Sequence, residues 1–255
     1  MKITGNTILI TGGGSGIGRG LAEALQAEGN HVIIAGRRKS VLDETTEANP
    51  GMKSLTLNIE DAASIREFAA QITTQYPALN MVIHNAGIMR IEELLEQQGD
   101  TSDAESIVTT NLLGPIRLTA ALLPHFLKQP SAAIMTVSSG LAFVPLAPTP
   151  TYCATKAAIH SYTESLRYQL KGTKVEVIEL APPYVQTELM GSGQAADPRA
   201  MPLKDYIAET IQILKKTQPT PPEILVERVK PLRFAERNGN YDAVLQQLAQ
   251  MVETH

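Results

Sequence analysis

"TILITGGGSGIGRGLAEALQAEGNHVIIAG", residues 7–36, decides the fold. Its first five residues are a short run of apolar and β-branched side chains, suited to a strand. The glycine cluster at 12–18 interrupts that run, and Leu21, Ala24 and Leu25 then recur at helical spacing up to a glycine stop at Gly29. "HVIIAG" (31–36) is a second apolar run of strand length. Strand, glycine turn, helix and strand within about thirty residues is the span of a parallel crossover unit.

The alternation continues along the chain. "SLTLN" (54–58), "LNMVIHNAG" (79–87), "AAIMTVSS" (132–139) and "KVEVIELAPP" (174–183) read as strands, with helical patterns at 62–75, 104–128 and 151–171 between them. Apolar strands divided by amphipathic helices imply a parallel sheet covered on both faces. The expected architecture is a Rossmann-type doubly wound sheet in three α/β/α layers. No linker divides the chain, so residues 1–255 are expected to form a single domain. The small, polar, proline-containing stretch at about 188–204 reads as a mobile substrate loop. A helix at 203–217 follows, then a strand within 221–229 and a helix at 241–255, making a C-terminal extension over about 220–255.

Composition narrows the function. A chain of 255 residues, 43% hydrophobic and with a net charge of −4, has a real core and no basic surplus. No nucleic-acid partner and no anionic membrane is expected, since both need a concentrated basic face. No apolar run approaches the roughly 20 residues of a membrane span. The N-terminal "MKITGNTILITGGG" turns to glycine too early for a signal peptide. A single cysteine, Cys153, excludes an internal disulfide framework and fits a reducing, cytoplasmic setting; a small buried filler is its expected role. His31, His84, His125, His160 and His255 show no metal-ligand spacing, so no metal site is expected. His160, two turns after Tyr152, reads as structural and within reach of a subunit contact.

In "TGGGSGIG" (11–18), Gly12, Gly16 and Gly18 follow T-G-x-x-x-G-x-G. Such a loop lets the backbone turn sharply out of a strand, approach a pyrophosphate, and start a helix whose amides face the anion. A plain glycine-rich turn is the alternative, but its position between the first strand and first helix points to dinucleotide binding. The 2′ position of such a cofactor is read at the end of the second strand, where an acid would accept from a free ribose diol. Here "AGRRKS" (35–40) has Gly36 in that place, then Arg37, Arg38 and Lys39 with no carboxylate among them. Guanidinium groups fit a phosphate, which favours NADP(H) over NAD(H).

In "TYCATKAAIH" (151–160), Tyr152 and Lys156 stand four residues apart, and so share one helix face. An ammonium beside a phenol favours the phenolate; moving its pKa from about 10 to near 7 takes about 4 kcal/mol. A cationic nicotinamide would help, and the phenol could then exchange a proton with a carbonyl or alcohol near neutral pH. Most Tyr–Lys pairs are structural, so the partners matter. "TVSSG" (136–140) puts Ser139 at the carboxyl edge of a strand, where open α/β sheets bind ligands, and "IHNAG" (83–87) ends at the same edge. Asn111 in "TTNLLG" falls within a helix, where a buried amide serves a kink or a water.

Together these residues resemble a family. Thr11 to Gly18, Asn85-Ala86-Gly87, Asn111, Ser139 and Tyr152-x-x-x-Lys156 match the short-chain dehydrogenase/reductase pattern over about residues 5–190. The resemblance implies Tyr152 as acid/base and Lys156 binding the nicotinamide ribose and lowering the tyrosine pKa. It implies Ser139 orienting the carbonyl and Asn111 holding a relay water. Gly12, Gly14, Ser15, Gly16, Ile17, Gly18, Arg37, Arg38, Asn58, Ile59, Asn85, Ala86, Gly87, Tyr152, Lys156, Pro182, Val185 and Thr187 become the expected cofactor contacts.

Two positions depart from the pattern. Pro182-Pro183 replaces the family's Pro-Gly and removes one amide donor, while Val185 and Thr187 still match. Asn58 stands where the family has an adenine-side aspartate. "APPxVxT" and the tail "EILVERVKPLRFAERNG" resemble the DltE-like branch.

The expected function is hydride transfer between NAD(P)(H) and a small carbonyl or alcohol, with Leu141, Phe143, Tyr184, Met190 and Met201 as possible pocket lining. The family implies a homodimer or homotetramer. The rival of another class is a catalytically silent nucleotide-binding regulator or scaffold. A nucleotide-sugar epimerase also uses Tyr-x-x-x-Lys, but with a differently spaced glycine loop.

Overall fold

In the computed structural model, which describes residues 2–96, 99–216 and 219–253, seven strands form one parallel sheet. They are β1 (Thr7–Thr11), β2 (His31–Gly36), β3 (Lys53–Thr56), β4 (Leu79–His84), β5 (Ala132–Val137), β6 (Val175–Leu180) and β7 (Glu223–Ile224). Their order is β3-β2-β1-β4-β5-β6-β7, so the chain reverses its direction of travel between β1 and β4. The carboxyl ends of those two strands part there and leave a crevice.

Both faces of the sheet are covered, and that is why its strands are apolar without alternation. Ile8 and Ile10 face the helix layer of α1 (Gly16–Ala27) and α8 (Leu203–Lys216), joined by Leu21, Leu25, Ile207 and Leu214. Leu9, one residue out of phase, faces the opposite layer of α3 (Ala62–Gln75) and α5 (Gly114–Phe126), with Phe68, Ile72, Leu118 and Phe126. The remaining helices are α2 (Lys39–Ala48), α4 (Ser102–Val108), α6 (Pro150–Gln169), α7 (Ser192–Ala196), α9 (Lys230–Arg233) and α10 (Tyr241–Glu253).

The expected helix at 104–128 is a run over 102–126 with a π turn, Thr109–Leu113, between α4 and α5. By length and composition this run could pass for a membrane span. Ile107, Leu118, Leu122 and Phe126 are instead fully buried against the protein, and Asp103, Glu105 and Arg117 interrupt it. The last strand is two residues long because β7 pairs only with Glu179 and Leu180. The stretch read as a loop at 188–204 holds α7 and a parallel bridge between Val185 and Met201. His255 lies outside the described residues.

Two local devices hold the crossover units in place. The Asp61 carboxylate accepts from Ala63 N at 2.7 Å and Ser64 N at 3.2 Å, capping α3. Gly18 lies so close to β1 that a Cβ there would sit 2.2 Å from Gly12 O and 2.4 Å from Asn85 Nδ2. Asp61→Ala is expected to cost about 1 kcal/mol, and Gly18→Ala about 1–3 kcal/mol through overpacking. Urea unfolding of both variants measures the two losses.

Candidate active site

The loops that follow β1 and β4 are tied across the crevice by side chains. Thr11 Oγ1 accepts from the backbone amides of Asn85 and Ala86, each at 3.1 Å. Asn85 Nδ2 donates back to Thr11 O at 3.1 Å and Gly12 O at 3.3 Å. Gly12 has φ +66°, and a Cβ there would meet Ala86 Cα at 2.9 Å, so only glycine fits. Ser15 precedes α1 in extended backbone and its side chain makes no capping bond. The first-turn amides of α1, around Gly16 and Ile17, are thus left without a side-chain acceptor. Gly14 is tucked under α2, where its carbonyl accepts from Thr45 Oγ1 at 3.2 Å. The loop after β6 closes the other side, with Thr187 3.5 Å from the position of a Cβ on Gly16.

The turn after β2 is less open than its sequence implies. Arg37 Nη1 pairs with Glu60 Oε1 at 2.7 Å, and Thr110 Oγ1 donates to the same oxygen at 2.8 Å. Lys39 pairs with Asp43. The turn contains no acid of its own, but the fold brings one, Glu60, from the β3–α3 connection. Among the described residues, Arg38 alone of the three has no carboxylate partner. Asn58 is exposed, and its Oδ1 accepts from Glu60 N at 3.2 Å. Ile59 is buried against α5, where a Cβ on Gly114 would come within 2.6 Å of its side chain.

Beyond the crevice, α6 lies along β5 with Tyr152, Lys156, His160 and Thr163 toward the sheet. Lys156 is 5% exposed; its Nζ donates to Val137 O at 2.8 Å and stands 5.5 Å from the Tyr152 ring centroid. Ser139 is 8% exposed at the end of β5, with its Oγ accepting from Leu141 N at 3.1 Å. Burial pushes the Tyr152 phenol above its ordinary range, hydrogen bonding with Ser139 pulls it partly back, and Cys153 adds a further push upward. The protein's own groups therefore leave the phenol neutral and carrying its proton. Burial draws the Lys156 ammonium down to about 8, opposed by Glu179 on β6.

Asn111 lies in the π turn. Its Nδ2 donates to Ile88 O at 2.9 Å while its Oδ1 accepts from Ile88 N at 2.9 Å. A Cβ on Gly87 would sit 3.3 Å from Asn111 Oδ1 and 3.7 Å from Lys156 Nζ, so the loop after β4 lies against both groups. The Asn111 side chain is thus engaged with the backbone of Ile88 and, through Nδ2 at 3.3 Å, with Thr155 Oγ1 on α6. Pro182 O accepts from Gly140 N at 2.8 Å, which joins the Pro182-Pro183 loop to the turn carrying Ser139. Behind that loop, Gln194 Nε2 on α7 donates to Val185 O at 2.8 Å and Thr187 Oγ1 at 3.1 Å.

Ile88, Met89, Leu141 and Leu146 pack against the small apolar cluster of Ile107, Tyr152 and Cys153. Tyr184 and Met190 are exposed, whereas Met201 is buried in the α1–α8 layer. Cys153 is buried, with its sulfur accepting from Leu146 N at 3.3 Å, as a filler would be.

Three acidic groups escaped the reading of sequence. Glu92 is 7% exposed and takes Thr151 N at 2.9 Å and Thr151 Oγ1 at 2.7 Å, pinning the start of α6. Glu60 holds Arg37, and Glu179 holds His160. The donor atoms of His160, Glu179 and Glu223 fall within 4.8 Å of one another, a cluster that local spacing does not reveal.

The short chain dehydrogenase family profile matches residues 6–197. The uncharacterized oxidoreductase DltE of Bacillus subtilis (strain 168) is 39% identical over 251 residues, covering 97% of this chain and 98% of that protein. A short chain dehydrogenase from Burkholderia cenocepacia J2315, solved in complex with NADP, has TM-score 0.80 at 24% identity, covering 97% of this chain and 99% of its own. A short chain dehydrogenase/reductase from Burkholderia phymatum, solved with NAD, has TM-score 0.81 at 20% identity, covering 97% and 96%. These two structures share the fold. The DltE match also runs through the extension beyond residue 197, where the family profile stops. With the glycine crevice, the Ser139–Tyr152–Lys156 grouping and these matches in agreement, the chain belongs to the short-chain dehydrogenase family of oxidoreductases.

Proposed function

We propose that the chain transfers hydride between NADP(H) and a small carbonyl or alcohol, with Tyr152 as the acid and base. One observation carries this reading: the Tyr152 phenol is hydrogen-bonded with Ser139, and Lys156 Nζ, held by Val137 O at 2.8 Å, stands 5.5 Å from the centre of its ring. The crevice fits a dinucleotide. Gly12 and Gly18 let the loop pack directly on Ala86, Asn85 and its own backbone, where a Cβ would clash, and so hold it in the tight turn a pyrophosphate needs. The first turn of α1 has amides without a side-chain acceptor, and such a turn attracts a pyrophosphate. Gly12, Gly14, Ser15, Gly16, Ile17 and Gly18 would line that group. Asn58, Ile59 and Asn85–Gly87 would lie along the adenosine and ribose, and Pro182, Val185 and Thr187 beyond the nicotinamide.

When bound, the nicotinamide cofactor supplies the hydride; the protein manages the proton. In reduction, Ser139 holds the carbonyl oxygen and the neutral Tyr152 phenol donates its proton to it. The phenolate left behind faces Lys156, whose ammonium stabilises it in a site of low dielectric. Asn111 fixes the 87–88 loop beside Lys156. Since its side chain is engaged with Ile88, a relay water would rest on its backbone carbonyl in the π turn. Apolar lining by Ile88, Met89, Leu141 and Leu146 favours a substrate with an uncharged, apolar flank.

Arg37 and Arg38 are read as the 2′-phosphate site, with Glu60 competing for Arg37. A homodimer or homotetramer is part of the same reading, supported by the exposed apolar Leu127 and Tyr168. Gel filtration with light scattering tests it, and a monomer at micromolar concentration would refute it.

Stopped-flow oxidation of NADPH with a panel of carbonyl compounds tests the reaction. Tyr152→Phe is expected to lower turnover by about 10²–10⁴-fold. Tight NADPH binding with no turnover of any compound, and no effect of that substitution, would support a silent regulator instead. Arg37→Asp is expected to cut the NADPH-to-NADH ratio of kcat/KM by about tenfold or more. Glu60→Gln, by releasing Arg37, should tighten NADPH binding and leave NADH unchanged. If neither ratio moves in fluorescence titration and kinetics, Arg37 is not the phosphate reader.

A further inference from the structure

Glu179 is the most deeply buried acid the chain carries among the described residues, at 0% exposure near the end of β6. A carboxylate without partners in such a place is strongly disfavoured, so its surroundings say what it is for. Its Oε2 accepts from His160 Nδ1 at 2.8 Å, and its Oε1 has no hydrogen-bond partner among the described residues. Thr136 on β5 and Glu223 on β7 are in register with it, so all three side chains lie on the α6 face of the sheet. Thr136 Oγ1 is already bonded to Thr163 Oγ1 at 2.8 Å. Glu223 is already claimed by Arg233, in two bonds of 2.7 and 2.8 Å.

The charged groups around Glu179 come from several elements. From α6 come Lys156, His160 and, on the outer side of His160 at 3.9 Å, Glu164. From β7 and α9 come Glu223 and Arg233, with Arg167 acting on Glu223 from the end of α6. Tyr152 and Cys153 lie toward the other end, beside Lys156. Arg233 also covers the Phe143 ring at 4.6 Å, and that ring meets His160 edge-on at 4.9 Å. The C-terminal extension is thus built into the wall behind Lys156. A divalent cation at His160, Glu179 and Glu223 would have to displace Arg233 from its paired bonds to Glu223.

We propose that Glu179, fixed by His160 and screened from Glu223 by Arg233, is the buried counter-ion that keeps Lys156 charged, and so a positioning residue for proton transfer at Tyr152. The proposal rests on the reading of Tyr152 and Lys156 as the acid–base pair. Lys156 has one hydrogen bond, to an uncharged carbonyl, and burial weakens its hold on a proton. Glu179 lies on the α6 face of the sheet, held at 2.8 Å by His160 one helical turn beyond Lys156 and in register with Thr136, the neighbour of the Val137 whose carbonyl holds Lys156, and from there its charge opposes this loss. The signs follow directly. Removing the Glu179 charge lets the Lys156 pKa fall, so its ammonium is lost at lower pH. Removing the Arg233 cation leaves the site more negative, and the Lys156 pKa rises. General loosening of the fold cannot move one group in opposite directions.

The test is a pH titration of the Lys156 13Cε resonance in [13C]lysine-labelled protein without cofactor, assigned with Lys156→Arg. The wild-type midpoint is expected at about 8. Glu179→Gln should lower it by about one unit or more, and Arg233→Met should raise it by less. His160→Asn, which keeps a donor to Glu179, should stay close to wild type. The alkaline limb of kcat/KM should shift with each midpoint. An unmoved midpoint in folded Glu179→Gln, with activity merely reduced at every pH, would overturn the proposal. If Glu179→Gln does not fold, a fixed or lowered midpoint in Arg233→Met overturns it alone. Shifted midpoints together with turnover indifferent to Tyr152→Phe would uphold the counter-ion and sink the acid–base reading.

Discussion

A buried ammonium is the constraint on which the site depends. Lys156 lies between α6 and the sheet at 5% exposure, and taking such a charge out of water is costly unless the fold compensates it. The compensation comes from the backbone oxygen of Val137 and the field of Glu179. The bond to Val137 O joins α6 to the last residue of β5, two residues before Ser139. The same contact that stabilises the cation therefore sets the distance between Ser139 and Tyr152. Glu92 performs a related task at the start of α6, where it holds the Thr151 amide and hydroxyl.

Parallel topology explains why residues so far apart in sequence meet. Every strand of the sheet points the same way, so the loops after β1, β4, β5 and β6 all emerge along one edge. The reversal between β1 and β4 spreads that edge into a crevice. Short polar bonds then stitch the loops together: Thr11 to Asn85 and Ala86, Asn111 to Ile88, Pro182 to Gly140, Gln194 to Thr187. All but the last satisfy a buried or half-buried backbone group, and each fixes one wall of the site against the next. Glycine enters where two backbones approach too closely for a Cβ, as at Gly12 and Gly18.

How much of this is legible in the sequence depends on the range of each interaction. The β1–α1–β2 unit and the central strands can be read because burial on both faces demands continuous apolar runs. T-G-x-x-x-G-x-G and Tyr152-x-x-x-Lys156 are local patterns, since each is imposed by one turn or one helix face. α2 escapes because "KSVLDETTEA" carries few apolar residues to mark a face. The π turn escapes because it changes hydrogen bonding without changing hydrophobic period. The carboxylates of Glu60, Glu92 and Glu179 escape for a different reason. Their partners Arg37, Thr151 and His160 lie on other elements, and only the sheet order brings each pair together. For the same cause a turn that reads as purely cationic acquires an acid.

The central claim is that Lys156 sets the proton affinity of the Tyr152 phenol. The direct measurement is the 13Cζ titration of Tyr152 in [13C]tyrosine-labelled protein saturated with NADP⁺, assigned with Tyr152→Phe, for wild type and Lys156→Met. The account predicts a wild-type midpoint below that of Lys156→Met by about one to three units, as an ammonium facing a phenol in a desolvated site requires. Coincident midpoints in two folded, cofactor-saturated proteins would contradict it.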